Sequence, residues 1–373
     1  MAIYIDVSAA VHARAGLGRY AESLARALVN KEPERFALFY NRSGDSRPLP
    51  GLDNIPTRSI RAGYKPWRLA VWLGQLAGLG FDQLLPGAEL YHATEHLLMP
   101  LRQVPGVLTV HDLIFRLFPQ HHKRLNYWYL NAAMPLYCRR ASAIIAVSHA
   151  TQQDLARFYG LDPAKISVVH EAAAPHFLPA PPDRVARVRA RYGLPDPYLL
   201  HVGTIEPRKN LDRLLEAIHH LRKAEESIRL VVVGGKGWLY QGFFQRLAEL
   251  ELSEVVHMPG YVPDADLPAI YSGARLVVVP SLYEGFGLPV LEGMACGAPV
   301  VCSNTSSLPE VGADAARYFD PTDVPGMAES ILTIWRDGDL REEMRRQGLA
   351  RAAYFSWERA AEETLAVYAR AAS

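Results

Sequence analysis

The feature that most constrains this chain is a grammar written twice. Short apolar runs alternate with longer segments of helical period on either side of a proline-rich stretch. In the first half Ile3–Val7, Phe36–Tyr40, Leu90–His92, Gly106–Val110 and Ala143–Val147 read as strands, and Tyr20–Val29 and most of Phe115–Tyr137 as helix. In the second half Tyr198–Val202, Arg229–Val233, Val255–Met258, Arg275–Val279 and Ala298–Val301 are the strands. Leu211–Leu221, Tyr240–Leu250, Leu267–Tyr271 and Leu288–Ala295 are the helices between them. Short apolar runs separated by helical segments imply parallel sheets with crossovers. Pro175–Pro182 reads as a linker. From Val324 onward the pattern is nearly all helical, broken at Asp337-Gly338-Asp339 and before Trp357.

The expectation is an α/β protein of two Rossmann-like domains, residues 1–175 and 176–355, with 356–373 a helix returning to the first domain. A length of 373 residues agrees, at roughly 100–200 residues per domain. Two such sheets facing each other place a cleft at the carboxyl ends of their strands.

Charge narrows the partners. Forty basic and 39 acidic residues leave a net of +1, which is no platform for nucleic acid. The balance is uneven, with 19 basic against 13 acidic residues up to Pro175, a net of +6, and 21 against 26 beyond it, a net of −5. The first half therefore suits an anionic neighbour. Its segments Arg61–Trp72 and Phe115–Tyr129 mix cations with aromatic rings, which fits either partial burial or an anionic membrane surface. His121 and His122, within the second segment, read as solvated. Cys138, Cys296 and Cys302 cannot form a disulfide framework. Asp6 arrives too early for a signal peptide, and no run of about 18 apolar residues occurs. A cytoplasmic location, peripheral on the inner face of the plasma membrane, is expected.

Four constellations carry chemistry. Gly16-Leu-Gly18-Arg-Tyr-Ala21 has the form of a dinucleotide fingerprint, but eight residues separate it from the first strand. It stays open between an NADP site, which would make the protein an oxidoreductase, an oxyanion-binding helix start, and a plain helix start. His111-Asp112 follows a strand end, where a polar pair is either buried structure or chemistry; His92, Glu95 and His96 follow another. Gly203-Thr204-Ile-Glu206-Pro-Arg208-Lys209-Asn210 leads into the Leu211 helix with Asn210 as N-cap, and its two cations are either surface charge or an anion clamp. Glu284-Gly285-Phe286-Gly287-Leu288-Pro-Val-Leu-Glu292 sets one carboxylate at a strand end and a second one turn into a helix. They are either helix-end glutamates or acceptors for the hydroxyls of one polar ligand. Asp264-Ala-Asp266 resembles a metal-binding pair but precedes a helix, and N-capping is the simpler role.

Together, E-G-F-G-L-P-V-L-E, G-T-I-E-P-R-K-N, His111-Asp112 and V-S-H-A-T at 147–151 resemble retaining glycosyltransferases of family four, over essentially the whole chain. The second motif looks most like the bacterial mannosyltransferase branch that builds O-antigen and exopolysaccharide chains. The resemblance implies a GT-B fold and transfer of a hexose, with mannose from GDP-mannose the best guess, to a saccharide or lipid-linked acceptor. It implies no metal or other cofactor. It implies that Arg208 and Lys209 hold the donor diphosphate and that Glu284 accepts from the transferred sugar. Gly285, Phe286, Gly287 and Leu288 would support sugar and phosphate through their backbone, Glu292 would bind the ribose, and Tyr261 and Val262 would border the base. Gly16 and Gly18 would approach from the first domain, and His111, with Asp112, would sit beside the reacting sugar. Many members carry a basic residue where Thr204 follows Gly203 here, so the phosphate rests more heavily on Arg208 and Lys209. A non-catalytic nucleotide-sugar sensor is the remaining alternative.

Overall fold

The computed structural model describes residues 2–42, 44, 47–121 and 123–372; His122 lies outside them. Two compact units emerge, one formed by residues up to Ala172 together with those from Ser356 onward, the other by Ala173–Phe355.

The first unit is a seven-stranded parallel sheet of β1 (Ala2–Asp6), β2 (Phe36–Arg42), β3 (Thr57–Arg61), β4 (Ala88–Ala93), β5 (Gly106–Val110), β6 (Ala143–Ala146) and β7 (Ile166–Val168). Its order is β3-β2-β1-β4-β5-β6-β7. The second is a six-stranded parallel sheet of β8 (Leu199–Val202), β9 (Leu230–Val233), β10 (Val256–Gly260), β11 (Leu276–Val279), β12 (Val300–Ser303) and β13 (Ala316–Phe319), in the order β10-β9-β8-β11-β12-β13. In each sheet the winding reverses once, between β1 and β4 and between β8 and β11. Loops leaving the carboxyl ends at such a reversal diverge and leave room for a ligand.

Residues within β5, β9, β11 and β12 are all buried, and β9 and β11 read Leu-Val-Val-Val, as strands covered on both faces do. The strands that the sequence pattern does not reveal are peripheral. β3 reads Thr-Arg-Ser-Ile-Arg with four exposed residues, because it is an edge strand; β7 and β13 occupy the opposite edges. The linker reading also runs long, since a helix already begins at Pro182, where proline lacks nothing that a first helical turn needs. The helices Tyr64–Ala77 and His149–Tyr159 are further additions.

The last helix, Trp357–Ala372, belongs to the first unit. Trp357 meets Tyr20 edge-on at 5.9 Å, and Tyr368 Oη is hydrogen-bonded to His92 Nδ1 at 2.7 Å. Both side chains are buried, each gaining about 1.5–3 kcal/mol of apolar burial. The three cysteines are free and buried.

Candidate active site

In the second unit the chemistry gathers where β8 and β11 end side by side. After β8 the chain makes a 3-10 turn, Pro207–Lys209, and enters the helix Leu211–Arg222. Asn210 stands at that junction with a left-handed backbone, φ 58°, which asparagine tolerates. Its side chain does not cap the helix, contrary to expectation. Asn210 Nδ2 instead donates to the carbonyls of Pro280 (3.0 Å) and Pro321 (2.8 Å), tying the turn to the loops after β11 and β13. Leu282 N donates to Arg208 O, which makes the same link.

That link brings residues 75 positions apart into one cluster. Lys209 Nζ donates to Glu284 Oε1 at 2.6 Å, Arg208 Nη1 to Glu284 Oε2 at 2.7 Å and to Tyr283 O at 2.8 Å, and Arg208 Nη2 to Glu206 Oε1 at 2.6 Å. Ser281 Oγ adds a third donor to Glu284 at 2.6 Å. Burial alone would push the Glu284 carboxyl up, but Arg208 and Lys209 outweigh it and hold it at about 2. Burial raises Glu206, against the pull of Arg208, and lowers Lys209, against the pull of Glu284. The arrangement is a pair of cations and an ionised carboxylate fixed at a helix start. Gly203 lets it close up, since a Cβ there would lie 3.2 Å from His201 Nε2 and 3.4 Å from Lys209 Cε.

The loop Glu284–Gly287 is pinned from outside. Ser306 Oγ accepts from Glu284 N at 2.9 Å, and Ser307 Oγ reaches the carbonyls of Glu284 (2.9 Å) and Phe286 (2.6 Å). Gly287, φ +114°, precedes the helix Leu288–Ala295 in a conformation that suits glycine. Glu292 is buried in that helix and accepts from Tyr271 Oη at 3.0 Å. Tyr261, just past β10, is exposed, and Val262 beside it is buried. Thr204 is half-buried. Asp266 does not cap its helix through its side chain either; Asp266 Oδ2 accepts from Arg191 and Tyr192 at 2.9 and 2.8 Å.

In the first unit Gly16 and Gly18 are not in a loop. They lie in the first turns of the helix Ala15–Lys31, behind a short helix Ser8–Val11. A Cβ on Gly18 would lie 2.8 Å from Ala9 O, so that glycine serves close packing of the two helices. The tight strand-to-helix turn of a dinucleotide site is therefore missing here.

His111 follows β5 and is fully engaged. Its Nδ1 lies 3.0 Å from Glu171 Oε1 and its Nε2 2.9 Å from Thr94 O. Both partners accept, so both ring nitrogens donate and the imidazole is an imidazolium. Burial works against that charge, but Glu171 outweighs it and the pKa is raised. His111 N donates to His96 Nε2 at 3.1 Å, Tyr20 packs edge-on at 4.6 Å, and Thr151 Oγ1 donates to His111 O at 3.0 Å. Asp112 Oδ1 accepts from Ile114 N at 3.1 Å and shapes the next turn.

The other histidines differ. His92 is wholly buried between Tyr368 and Thr109, and burial lowers its pKa to about 3. It fastens the last helix, which decides for buried structure between the two roles that its place at a strand end left open. Burial lowers His96 to about 4. Glu95 is buried against Arg14, whose guanidinium sits 3.6 Å over the Tyr64 ring. Burial raises Glu95 to about 7 despite Arg14, and its Oε1 has no hydrogen-bond partner.

Residues 186–351 match the family model described as glycosyl transferases group 1, and residues 14–176 match that of glycosyltransferase family 4. The O-antigen chain mannosyltransferase B of Escherichia coli is 33% identical over 369 residues, 95% of each chain. The chain belongs to the glycosyltransferases. The fold of this glycosyltransferase is GT-B, as its solved neighbours show. Sucrose-phosphate synthase from Thermosynechococcus elongatus superposes with a TM-score of 0.79 at 21% identity, covering 99% of this chain and 98% of that one. Anabaena Alr3699/HepE, solved in complex with UDP and glucose, gives 0.74 at 19% identity, covering 98% of each chain. The oxidoreductase alternative falls with the family and with the helical placement of Gly16 and Gly18.

Sequence reasoning did not single out Ser281, Ser306, Ser307, Glu171 or Arg14. Serines and a lone glutamate carry no pattern of their own, and Glu171 is 60 residues from the histidine that it charges.

Proposed function

We propose that this glycosyltransferase is a retaining mannosyltransferase that moves mannose from GDP-mannose to a saccharide or lipid-linked acceptor in cell-surface polysaccharide synthesis. The observation that carries the reading is the buried Arg208–Lys209–Glu284 cluster at the reversal of the second sheet. The likeness to a mannosyltransferase over nearly the whole chain supports the choice of sugar.

Arg208 and Lys209 hold the donor diphosphate, already fixed by Glu284 and Glu206 before it arrives, so little reorganisation is needed as charge develops. Three donors fill three of the about four lone-pair sites of Glu284, and the last accepts from a hexose hydroxyl. So restrained a carboxylate is a poor nucleophile, which supports same-face attack. The bond from the anomeric carbon to the phosphate oxygen breaks as the acceptor oxygen bonds to that carbon. The acceptor proton passes to the departing diphosphate.

The backbone of Gly285–Leu288 supports the sugar and phosphate, Glu292 takes the ribose, Tyr261 and Val262 border the base, and Thr204, Gly16 and Gly18 lie along the donor. His111 adds a fixed positive charge held by Glu171, not a base, and Asp112 shapes its loop. The unpartnered oxygen of Glu95 accepts from an acceptor hydroxyl. No metal is required, because cations of the chain neutralise the phosphates. The enzyme works in the cytoplasm, touching an anionic membrane through its first unit.

The test is release of free nucleotide diphosphate from a panel of nucleotide sugars with a mannose-terminated oligosaccharide, followed by NMR of the product linkage. GDP release from GDP-mannose with an α-linked product is expected. Turnover of UDP-glucose alone would move the donor, a β-linked product would remove retention, and no turnover would leave a sensor.

A further inference from the structure

Among the described residues, all the large apolar side chains that the first unit leaves exposed belong to two stretches. The helix Tyr64–Ala77 buries Trp67, Val71, Gly74 and Gln75. It turns Leu69, Leu73 and Leu76 outward, each about half exposed, and Leu79 follows just past its end. The helix Arg124–Arg140 leaves Leu125 87% and Trp128 68% exposed. Spacings of four and three along the first helix, and of three along the second, each make one stripe.

The two helices are joined. Arg68 Nη2 donates to Asn126 Oδ1 at 3.1 Å, its guanidinium lies 3.9 Å over the Tyr129 ring, and Trp72 meets Tyr129 at 6.1 Å. Partners advance together along both helices, so the helices run the same way. Leu69 and Leu73 come one residue after Arg68 and Trp72; Leu125 and Trp128 come one residue before Asn126 and Tyr129. A step of about 100° forward on one helix and backward on its parallel neighbour turns both stripes to the same side. They form one ridge.

Charge says what the ridge faces. Residues 54–81 and 113–153 contain nine Lys and Arg and no Asp or Glu. Arg61, Lys65, Lys123 and Arg124, at or just before the starts of the two helices, are exposed. Arg68, in contrast, is spent on holding the helices together. A surface without acids meets a layer of anionic headgroups with no like-charge repulsion anywhere along it. Leucines and a tryptophan accompanied by unopposed cations match acyl chains below anionic headgroups.

We infer that the Tyr64–Ala77 and Arg124–Arg140 helices form a membrane-inserting ridge, with Leu69, Leu73, Leu76 and Trp128 entering an anionic bilayer. The inference rests on the membrane contact proposed above and assigns its surface. It makes attachment mainly apolar, with cations contributing a part that salt screens.

The test is co-sedimentation of the full chain with vesicles of phosphatidylglycerol and phosphatidylcholine in equal parts, and with phosphatidylcholine alone. Binding to the mixed vesicles is expected. Leu73→Ser with Trp128→Ser should lower the bound partition about tenfold at low and high salt alike. Lys65→Gln with Lys123→Gln should lower it at low salt only. Lipids brominated in their acyl chains should quench wild-type fluorescence and spare a Trp128→Phe variant that part of the loss, a readout independent of any change in stability. Absence of wild-type binding would end the membrane reading itself. Binding that the serine pair leaves intact would overturn the ridge and leave membrane contact elsewhere. A self-associated form in sedimentation velocity, abolished by the serine pair and unaccompanied by vesicle binding, would make a second copy of this chain the occupant.

Discussion

The two units build their polar centres by opposite means. At the end of β11 every charge has a partner of the other sign, and the key carboxyl, Glu284, is pulled far below neutrality. At the ends of β4 and β5 the groups are buried with fewer counter-charges. There burial raises Glu95 to about 7 and lowers His96 to about 4, while His111, held by the Glu171 carboxylate, rises against its burial. The same burial acts in both places; the number of opposing charges decides its outcome. The second unit thus offers a fixed electrostatic cradle, and the first a set of groups that respond to pH.

The hardest blow to the cradle is removal of one cation. Lys209→Met leaves the buried carboxylates of Glu284 and Glu206 to share Arg208 alone and should cost about 1–3 kcal/mol of stability, read by chemical denaturation, and abolish measurable GDP release. Adding Glu284→Gln should restore much of the stability and none of the activity. If Lys209→Met unfolds like wild type, the cluster is not the tightly coupled unit described.

The comparison sharpens in the pH dependence of stability. Glu284, at about 2 in the folded protein against an ordinary 4.5 for a free glutamate, contributes stability present above pH 4.5 and lost as pH falls toward 2. Glu95, at about 7 against 4.5, contributes stability present below 4.5 and lost as pH rises through 7. Each is worth about 3 kcal/mol. Denaturation of Glu284→Gln and Glu95→Gln variants across this range should therefore flatten opposite limbs of the wild-type profile. Flattening of the same limb by both would erase the contrast.

A smaller effect tests the charge on His111. Its stability contribution is present below 6.5 and lost as pH rises through its raised folded value. Glu171→Gln removes the partner, so NMR titration should show the ring losing its proton at lower pH and kcat falling about tenfold, near 1.4 kcal/mol. An unmoved titration would assign the proton elsewhere.

On the second unit, Glu292→Gln should weaken GDP binding in calorimetry by about tenfold, and Tyr271→Phe, which loses one hydrogen bond to Glu292, by about threefold. Equal affinities would detach Glu292 from the ribose. The mildest outcome belongs to chelation. Activity should survive EDTA, and Asp264→Asn should change it by less than about twofold; loss restored by Mn²⁺ would replace the cationic cradle with a metal.

The doubling of an α/β sheet, the cores of the central strands and the motifs at their ends were legible along the chain, because apolar period and turn residues act over a few neighbours. Gly106–Val110 and Leu288–Ala295 were readable to the residue. The edge strand Thr57–Arg61 was not, since a strand open to water needs no apolar run. Which charges meet came from the folded arrangement. Asn210 looked like a helix cap and turned out to be a tie between two strand ends. His92, open between buried structure and chemistry in the sequence, turned out to fasten the last helix. Lys209 found Glu284 across 75 residues and His111 found Glu171 across 60. Parallel crossovers place strand ends side by side according to sheet order, which no local spacing encodes, and burial there sets what each paired or unpaired group becomes.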